Sequence, residues 1–492
     1  MDQTTATPLA MTSQPRDRPI LREGRNCWRI APAKRAAVLV DGAHYYARLD
    51  QVLARAEKSI LIVGWDFDAS IKLRPDRPDC PPLGDFLRAL VEARPQLEIR
   101  VLVWSAAVVH APSAPLPLLF GAPWQKHPRI RLRLDRTHPI YAAHHQKLIC
   151  VDDDMAFVGG MDLTIRRWDT REHVARHPLR VKPDGAPYPP VHDVQMVVEG
   201  EVARVVAEVA RERWRRATGE AVAPVGSAAE LWPEQLQPDF TNISVAVART
   251  APAWKGVHEV HHEGAALTFD ALAAAHRLIY IEAQYLTAPH VGELLATRLQ
   301  EPRGPEIVII VRRRFTSKME GFVMGGNQDR LIQRLRQADR YGRLGAFYPM
   351  VVRQGEDVPI TVHSKVIIID DDLVRVGSSN LNNRSLGLDT ECDLAVEAGS
   401  DETRCCIATL RERLLGEHTG VKPQALREAV AAEGSLLRAI ARWQHNPRCL
   451  RPVPDLPRIP SRPVFGTWLL DPSKPFEPLG FLRRKGSAPT AA

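Results

Sequence analysis

Residues 145–152 read H-Q-K-L-I-C-V-D, and residues 363–370 read H-S-K-V-I-I-I-D. The two stretches lie 218 positions apart, and without any gap His145–Leu163 overlays His363–Leu381 with 9 of 19 positions identical. Agreement over so many positions indicates an internal duplication. Each copy supplies one imidazole and one ammonium group two residues apart, so the chain carries two of each.

Each motif runs into a short apolar segment, residues 148–151 in the first copy and 366–369 in the second. Such β-branched runs, ended by acidic turn residues, predict buried strands. Side chains two residues apart on a strand point the same way, so the histidine and lysine of each motif share a face. If the two strands meet across a pseudo-two-fold axis, the lysines can neutralise a phosphate. One histidine can then attack phosphorus while the other protonates the leaving oxygen.

The elements around the motifs repeat at nearly the same offset. The paired segments are a helical pattern at 45–58 with one at 271–277, strand 60–65 with strand 278–282, and strand 99–103 with strand 307–311. Strands that alternate with helices predict an α/β fold in each half, with a mixed sheet covered by helices. We therefore expect two homologous mixed-sheet repeats packed about a pseudo-two-fold axis, with the active site at their interface.

The chain divides into five expected segments. They are a disordered N-terminal segment (1–26), the first repeat (27–220), a linker (221–240), the second repeat (241–420), and a C-terminal helix with a proline-rich tail (421–492). We expect one helix from Gln424 to about Trp443, then an extended, irregular tail after Asn446. Disorder is expected over the first 20 or so residues and from about Lys485.

Composition limits the possible classes of partner but does not identify the reaction. The formal charge of +8 favours anionic partners such as lipid headgroups or nucleic acid, and a solvated basic surface explains it equally well. The seven cysteines are scattered without ligand spacing, which predicts reduced thiols and no zinc site. No signal peptide and no apolar stretch of about 18 residues is visible. We expect a cytoplasmic protein, peripheral to the inner membrane or exported without a cleaved signal.

With these motifs in place, the sequence resembles the phospholipase D superfamily, defined by two H-x-K-x4-D motifs, and within it the phosphatidylcholine-type branch. The resemblance covers roughly Asp41 to His418. The further matching segments are Gly159–Leu163, Arg167–Thr170, Pro189–Asp193, Arg213–Trp214, Ile279–Tyr285, Gly377–Asn380, Asn383–Ser385 and Asp389–Glu391. The catalytic residues implied by the two motifs are His145, Lys147, Asp152, His363, Lys365 and Asp370.

The resemblance also implies supporting residues. Asp193 and Glu391 match the acidic residues that orient the imidazoles, since a nucleophilic histidine needs a partner on its second nitrogen. Asn380 matches a phosphate-contacting amide, and Ser378 lies beside it as a further substrate-binding candidate. The first copy carries Asp162 in the place of Asn380, where a carboxylate faces the headgroup or holds the loop.

The two motif aspartates, Asp152 and Asp370, lie five residues beyond the lysines, at the strand ends. For both, holding the turn and its neighbouring backbone is favoured over direct catalysis. Two apolar stretches, residues 106–124 and 322–326, follow predicted strands in corresponding places. Loops at strand ends often form active-site mouths, so both stretches could admit acyl chains, although core or subunit packing fits equally well.

The implied activity is a phospholipase D reaction. Glycerophospholipid, with phosphatidylcholine foremost, would be hydrolysed to phosphatidic acid and headgroup alcohol through a phosphohistidine, with transfer to other alcohols. We expect His145 to be the nucleophile and His363 the general acid. No cofactor and no metal is expected, because the lysines supply the charge. The expected partner is phospholipid at a membrane surface, with a monomeric enzyme.

Three alternatives remain open. A cardiolipin synthase-like phosphatidyltransferase would share every catalytic residue and differ in the acceptor. A nuclease of the same superfamily would explain the positive charge, although no basic stripe interleaved with aromatics supports base stacking, and nucleic acid is not expected. An inactive lipid-binding scaffold would leave the two complete motifs unexplained.

Overall fold

The computed structural model describes residues 18–107, 121–226, 229–254, 260–353, 356–455 and 462–473. The strands are β1 (Arg29–Val40), β2 (Ser59–Gly64), β3 (Glu98–Trp104), β4 (Ile130–Asp135), β5 (Leu148–Val151), β6 (Met155–Gly159), β7 (Val191–His192), β8 (Val194–Glu199), β9 (Phe240–Ala251), β10 (His261–His262), β11 (Leu278–Ala283), β12 (Glu306–Val311), β13 (Leu344–Arg353), β14 (Glu356–Pro359), β15 (Thr361–Val362), β16 (Lys365–Ile369), β17 (Leu373–Gly377), β18 (Glu391–Glu397) and β19 (Arg448–Pro452). The apolar runs of both motifs form buried strands, as the sequence predicts.

Each repeat builds the same sheet. The hydrogen-bonded order is β4-β3-β2-β5-β6-β8-β1 in the first repeat. In the second it is β13-β12-β11-β16-β17-β18-β9. The strands β2, β3 and β4 are parallel to one another, as are β11, β12 and β13, whereas the other neighbours in both orders are antiparallel. The predicted pair of homologous mixed sheets is confirmed.

The first and ninth strands join the two sheets. β1 pairs antiparallel with β9, from Arg29 opposite Val247 to Ala36 opposite Phe240. These are equivalent strands of the two repeats, and antiparallel pairing of equivalents is what a two-fold relation between the repeats requires. Motifs far apart in sequence are thereby brought to one interface.

Helices cover both sheets and also fill the space between the repeats. The longer ones are α1 (Gly42–Leu53), α2 (Leu83–Ala93), α3 (Glu201–Thr218), α4 (Glu263–Ala274), α5 (Pro289–Gln300), α6 (Gly326–Ala338), α7 (Asp401–Thr419), α8 (Pro423–Glu433) and α9 (Leu436–Ala441), and short helical turns lie at Lys318–Glu320 and Thr467–Leu470. The stripe of α3 that includes Val202 and Val206 and the stripe of α7 that includes Leu410 and Leu414 enter one buried core shared by both repeats. Each repeat has a further core of its own on the outer side of its sheet. No helix of the described residues is long and apolar enough to cross a membrane.

The C-terminal region differs from its prediction in two ways. In place of one helix over 424–443, α8 ends before Gly434, which adopts a left-handed φ of 60°, and α9 begins after Ser435. Glycine reaches this conformation without steric cost, so it ends the helix. The segment after Asn446 was predicted to be irregular, yet β19 extends the second sheet by pairing antiparallel with β13. The predicted disorder from Lys485 lies outside the described residues.

The N-terminal prediction of disorder through residue 26 is also corrected where the structure describes the chain. Ile20 and Leu21 are buried, and their backbone N–H groups donate to the Glu397 carboxylate at 2.6 and 2.9 Å. Residues 1–17 lie outside the described residues. Helix α3 ends before Gly219, which adopts a left-handed conformation, and the expected linker follows it. The linker contains the buried Trp232, and β9 begins at Phe240.

Candidate active site

The two motifs enter the interface through matching backbone hydrogen bonds. The N–H of His145 donates to the carbonyl of Thr390 at 3.0 Å, and the N–H of His363 donates to the carbonyl of His192 at 2.8 Å. Each acceptor belongs to the other repeat and immediately precedes an acidic residue. The backbone therefore places each imidazole beside a carboxylate of the opposite repeat.

The two imidazoles and their carboxylates are exchanged between the repeats. His145 Nδ1 lies 2.9 Å from Glu391 Oε2, and His363 Nδ1 lies 2.6 Å from Asp193 Oδ2. Both carboxylates are buried, whereas the His145 and His363 side chains remain 16% and 9% exposed. Each ring thus has one nitrogen fixed by a carboxylate, which leaves Nε2 as the nitrogen available for chemistry.

Two hydroxyl groups hold the carboxylate of Glu391. Ser378 Oγ donates to Oε2 and Ser385 Oγ donates to Oε1, both at 2.6 Å. Burial raises the pKa of Glu391 to about 8, while Lys147 and the two hydroxyls act in the opposite direction. Ser378 is predicted to bind substrate. In the structure its hydroxyl group donates its hydrogen bond to Glu391.

The lysines occupy different environments in the two repeats. Lys147 Nζ donates to the carbonyl of His145 at 2.9 Å and lies 3.4 Å from Asp162 Oδ2. Lys365 Nζ donates to Gln284 Oε1 at 2.8 Å. Burial lowers the pKa of Lys365 to about 7, against the attraction of nearby carboxylates. The second lysine therefore has a neutral amide where the first has a carboxylate.

The residue after each glycine-containing turn shows the same asymmetry. Asp162 Oδ1 accepts a hydrogen bond from the N–H of Trp65 at 2.8 Å, so its carboxylate holds the end of β2 as well as facing Lys147. Asn380 is 3% exposed, and its side-chain oxygen has no hydrogen-bond partner within the described chain. Among the described residues, the side-chain oxygen of Asn380 thus has no hydrogen-bond partner, whereas Asp162 is held through Oδ1 and faces Lys147 through Oδ2, an oxygen that makes no hydrogen bond of its own.

A third positively charged side chain, that of Arg167, lies beside the His363 imidazole. Arg167 Nη2 lies 3.4 Å from His363 Nε2, the nitrogen that Asp193 leaves available. The pKa of His363 lies well below its ordinary value. Burial is the largest cause, and the positive charges of Lys365 and Arg167 lower the pKa further. Burial likewise lowers the pKa of His145, with Lys147 and Lys365 contributing. Each imidazole therefore feels cations from both repeats, as expected of one anion-binding pocket.

The motif aspartates lie at the opposite ends of the motif strands. Asp152 accepts hydrogen bonds from the backbone N–H groups of residues 57–59, and Asp370 from those of residues 276–278, all at 2.6–2.8 Å. Five residues of extended chain separate Asp152 from Lys147, a span of roughly 16 Å. The structure therefore does not bring these two carboxylates to the imidazoles.

Three polar contacts in the pocket had no role assigned from sequence. They are made by Arg167, Gln284 and Ser385. All three lie in segments that carry the family resemblance, and this resemblance is the sequence signal that could have identified them. The contacts of Arg167 and Gln284 could not be inferred because each reaches a residue far away in the chain, whereas Ser385 contacts Glu391 only six residues further on.

Comparison with known proteins agrees with this geometry. A family model described as "Phospholipase D" matches residues 125–232, and one described as "Cardiolipin synthase, PLD-like domain" matches residues 269–404. One model thus matches around each H-x-K motif. The chain belongs to the phospholipase D superfamily. The likeness to the phosphatidylcholine-type branch is supported by relatives that are themselves phospholipases D.

Two curated relatives and one solved structure illustrate the match. Phospholipase D1 of Schizosaccharomyces pombe is 24% identical over 393 residues, covering 60% of this chain and 28% of the relative. Phospholipase D alpha 4 of Arabidopsis thaliana is 24% identical over 394 residues, covering 60% of this chain and 51% of the relative. The chain thus spans about half or less of these relatives. The phosphatidylserine synthase structure of Haemophilus influenzae superposes with a TM-score of 0.55 at 14% identity, covering 78% of this chain and 88% of that one, which shows the shared fold.

Proposed function

We propose that this protein is a phospholipase D-type phosphodiesterase. It hydrolyses glycerophospholipids, foremost phosphatidylcholine, to phosphatidic acid and headgroup alcohol, and it transfers the phosphatidyl group to other alcohols. The observation that carries the proposal is the crossed pair of imidazoles, each fixed by a buried carboxylate of the other repeat, with two buried lysines beside them. The phospholipase D relatives support the same reaction.

The first step assigns a different role to each histidine. His145 Nε2 attacks phosphorus, a nitrogen–phosphorus bond forms, and the bond from phosphorus to the headgroup oxygen breaks. Glu391 accepts the Nδ1–H of His145 and stabilises the positive charge that develops on the ring. His363 Nε2 donates its proton to the departing oxygen, with Asp193 on the other ring nitrogen.

The second step reverses the proton transfer. His363, now neutral, takes a proton from water or from another alcohol, whose oxygen attacks phosphorus and breaks the bond to His145. Water gives phosphatidic acid, and an alcohol gives a phosphatidyl-alcohol. The chain's own residues hold the phosphate throughout, since Lys147, Lys365 and Arg167 place positive charge around it.

The asymmetry of the two repeats suggests where the phosphate lies. Asp162 offsets the charge of Lys147, whereas Lys365 faces the neutral Gln284. We infer that the phosphate lies nearer to Lys365, with the Asn380 amide as a donor. Ser378, Asp152 and Asp370 would act through the groups they hold rather than by touching substrate.

Lipid access is proposed at an apolar surface of the second repeat. The predicted apolar loop at 322–326 is helical, because a π-helical turn (Gly321–Gly325) runs into α6. Phe322 is 62% exposed, and the neighbouring C-terminal turn exposes Phe465 and Trp468. That turn packs on this helix, since Asn327 Nδ2 donates to Thr467 Oγ1 at 2.7 Å. We propose that a monomeric, cytoplasmic enzyme meets the membrane surface here. Of the corresponding stretch 106–124, residues 108–120 lie outside the described residues, and Trp124 at its end is buried.

A phosphatidyltransferase is the second candidate. The family model that matches residues 269–404 is described by cardiolipin synthase, and the transfer reaction would use the same phosphohistidine. The two activities differ only in the acceptor alcohol. A superfamily nuclease and an inactive lipid-binding scaffold remain outcomes of the test.

The test is an assay of the purified full-length chain on vesicles of single phospholipids, with and without ethanol. We expect choline and phosphatidic acid from phosphatidylcholine, and phosphatidylethanol when ethanol is present. A variant with both His145→Asn and His363→Asn is the matched control for contaminating activity. Cardiolipin formed from phosphatidylglycerol without net hydrolysis would favour the transferase. Degradation of single-stranded DNA with all phospholipids intact would overturn the lipid proposal.

A further inference from the structure

Behind the candidate active site lies a second cluster of chemically active side chains that the proposed reaction does not use. It consists of Asp41 after β1, His173 and His192 from the first repeat, and Glu417 on α7 of the second repeat. None of the four side chains is more than 4% exposed. One ligand atom from each residue lies within 4.8 Å of the others.

The inner nitrogens of both histidines lie near oxygens of both carboxylates, at distances close to those between the ligands of a small cation. His173 Nε2 is 3.3 Å from Asp41 Oδ2 and 3.2 Å from Glu417 Oε1. His192 Nδ1 is 3.1 Å from Asp41 Oδ1 and 2.8 Å from the same Glu417 oxygen. Four ligands at about 2.0 Å from a tetrahedral ion would be about 3.3 Å apart. The cluster needs only a small expansion to reach that geometry.

The outer nitrogen of each histidine is bound to a further carboxylate. His173 Nδ1 lies 3.0 Å from Asp169 Oδ2, and His192 Nε2 lies 2.8 Å from Glu282 Oε2. Histidines that ligate metals ordinarily donate their second nitrogen in this way, which fixes the tautomer and aims the first nitrogen at the ion. Both outer bonds are present here, and the two remaining nitrogens face the same point.

A further sign of a ligand is the carboxylate of Asp41. Its Oδ2 is buried and makes no hydrogen bond to any described residue, although it lies 3.3 Å from His173 Nε2. A buried carboxylate oxygen without a hydrogen bond is costly, and coordination to a cation would satisfy it. Asp41 itself adopts a left-handed φ of 66°, so the chain accepts local strain where this oxygen is placed.

We propose that Asp41, His173, His192 and Glu417 form a buried divalent-metal site between the repeats, for which Zn²⁺ is the best-fitting ion. Two imidazole nitrogens and two carboxylate oxygens in a closed tetrahedral set are zinc ligands in proteins. The scattered cysteines predict no zinc site with cysteine ligands. A site built from histidines and carboxylates of both repeats has no such local spacing in the sequence.

The ionised side chains of the cluster carry a net negative charge that one divalent ion would balance. Four carboxylates meet here, namely those of Asp41, Asp169, Glu282 and Glu417. Two arginines also contribute, because Arg180 pairs with Asp169 at 2.8 Å and Arg171 with Glu417 at 3.0 Å. The remaining two negative charges would be balanced by one divalent ion or by two imidazolium protons, so the competing occupant is a pair of protons.

The proposed ion would stabilise the active site without touching the reacting atoms. It would tie β1 and the 173–192 segment of the first repeat to α7 of the second. His192 directly precedes Asp193, the partner of His363, and its carbonyl accepts the His363 N–H. These are positioning effects, so the lysines still supply the charge in the reaction.

The experiment measures metal in the folded full-length chain, produced without a histidine tag in zinc-sufficient medium. The native protein is dialysed exhaustively against EDTA and its metals are counted by plasma mass spectrometry. We expect close to one Zn²⁺ per chain, retained by burial and released only after unfolding in the presence of chelator. A folded, monodisperse chain with less than about a tenth of an ion per chain would overturn the proposal and leave two imidazolium ions as the occupants.

A matched pair of variants locates the ion. His173→Gln should lower the metal content at least about tenfold, whereas His144→Gln should leave it unchanged. His144 is equally buried and also faces a carboxylate, with Nδ1 3.2 Å from Asp135, but it lies outside the cluster. Metal retained by the His173 variant would overturn the assignment. If that variant fails to fold, X-ray absorption on the native chain decides, since nitrogen and oxygen ligands support the site and sulfur ligands refute it.

Discussion

Left-handed aspartates close the motif turns in both repeats. Asp152 and Asp153 have φ of 51° and 54°, and Asp370 and Asp371 have φ of 55° and 62°. Aspartate tolerates this conformation better than most side chains, which accounts for the duplicated acidic run. The middle carboxylate of each acidic triplet also binds a matching arginine, since Asp153 contacts Arg211 and Asp371 contacts Arg411. The acidic triplets therefore anchor each motif strand rather than supply chemistry.

The roles of His145 and His363 can be separated with a substrate whose leaving group needs no proton. On phosphatidyl-p-nitrophenol we expect His363→Asn to give a burst of nitrophenol and a trapped phosphoenzyme, because nucleophilic attack is intact. His145→Asn should give neither, because no covalent intermediate can form. Rapid-quench kinetics and mass spectrometry of the labelled peptide measure both. Phosphate found on His363 in the His145 variant would reverse the assignment.

The hydroxyl of Ser385 should set the acidic limb of the pH profile. It donates to Glu391, and such a bond favours the ionised carboxylate that the His145 nucleophile needs. Its loss in Ser385→Ala raises the pKa of Glu391 further above its usual range. The ionised fraction then falls at neutral pH and recovers at higher pH. We expect the acidic limb of kcat/KM to move up by about one pH unit.

The control for this prediction is Ser379→Ala. Ser379 lies in the loop that follows β17, and its hydroxyl donates to Asp393 instead of Glu391. Its acidic limb should stay in place. An equal shift in both variants, or no shift for Ser385→Ala, would show that the limb does not report Glu391.

Among the secondary-structure elements, strands β17 and β18 approach each other closely at one glycine. Gly377 ends β17 opposite Asp393 on β18, and a Cβ at this glycine would lie 1.9 Å from Asp393 Oδ1 and 2.6 Å from its Cα. Gly160 in the first repeat is equally close to Asp193, since its Cβ would lie 2.1 Å from Oδ1. Each of these two glycines therefore admits a carboxylate side chain at the end of the strand that follows the motif strand.

Gly377→Ala should consequently destabilise the fold. The added methyl group must displace both the side chain and the backbone of Asp393, an overpacking that costs about 2–4 kcal/mol in free energy of unfolding. Gly399→Ala is the control, because nothing lies within 4 Å of its added Cβ and its φ is ordinary. That variant should change stability by less than about 0.5 kcal/mol. Urea denaturation followed by circular dichroism measures the difference, and equal stabilities would contradict the packing argument.

At the scale of the whole molecule, the proposed reaction depends on the joining of the two repeats. The first repeat holds His145 and Asp193, and the second holds His363 and Glu391, but the contacts run between the repeats. A repeat on its own has an imidazole without its carboxylate. The β1–β9 pairing and the shared core between the sheets hold the exchanged partners together.

Dividing the chain inside residues 221–226 tests this dependence. Each fragment, purified as a monomer, should lose at least about a hundredfold in phosphatidylcholine hydrolysis, because a nucleophile or acid without its orienting partner is misplaced. Co-expression of the fragments should restore activity. An intact chain cut at the same place after folding serves as the control. A single monomeric fragment with full activity would refute the exchange of partners.

The sequence by itself determined the duplication, the α/β class and the two H-x-K pairs. Those features are local, because a strand of alternating faces and its flanking turn depend on residues close in the chain. It also placed Asp193 and Glu391 beside the imidazoles by resemblance, but without showing that the repeats exchange them. Their catalytic roles stay predictions.

The tertiary structure decided what depends on contacts between residues that are separated in the chain, within a repeat as well as between the repeats. The pairing of Lys147 with Asp162 but of Lys365 with Gln284, the buried cluster around His192, and the strand formed by residues 448–452 all involve such distant contacts. No local pattern encodes them, since an added edge strand responds to the space that packing leaves. The physical reason is that burial between two sheets is shared among residues far apart in the chain.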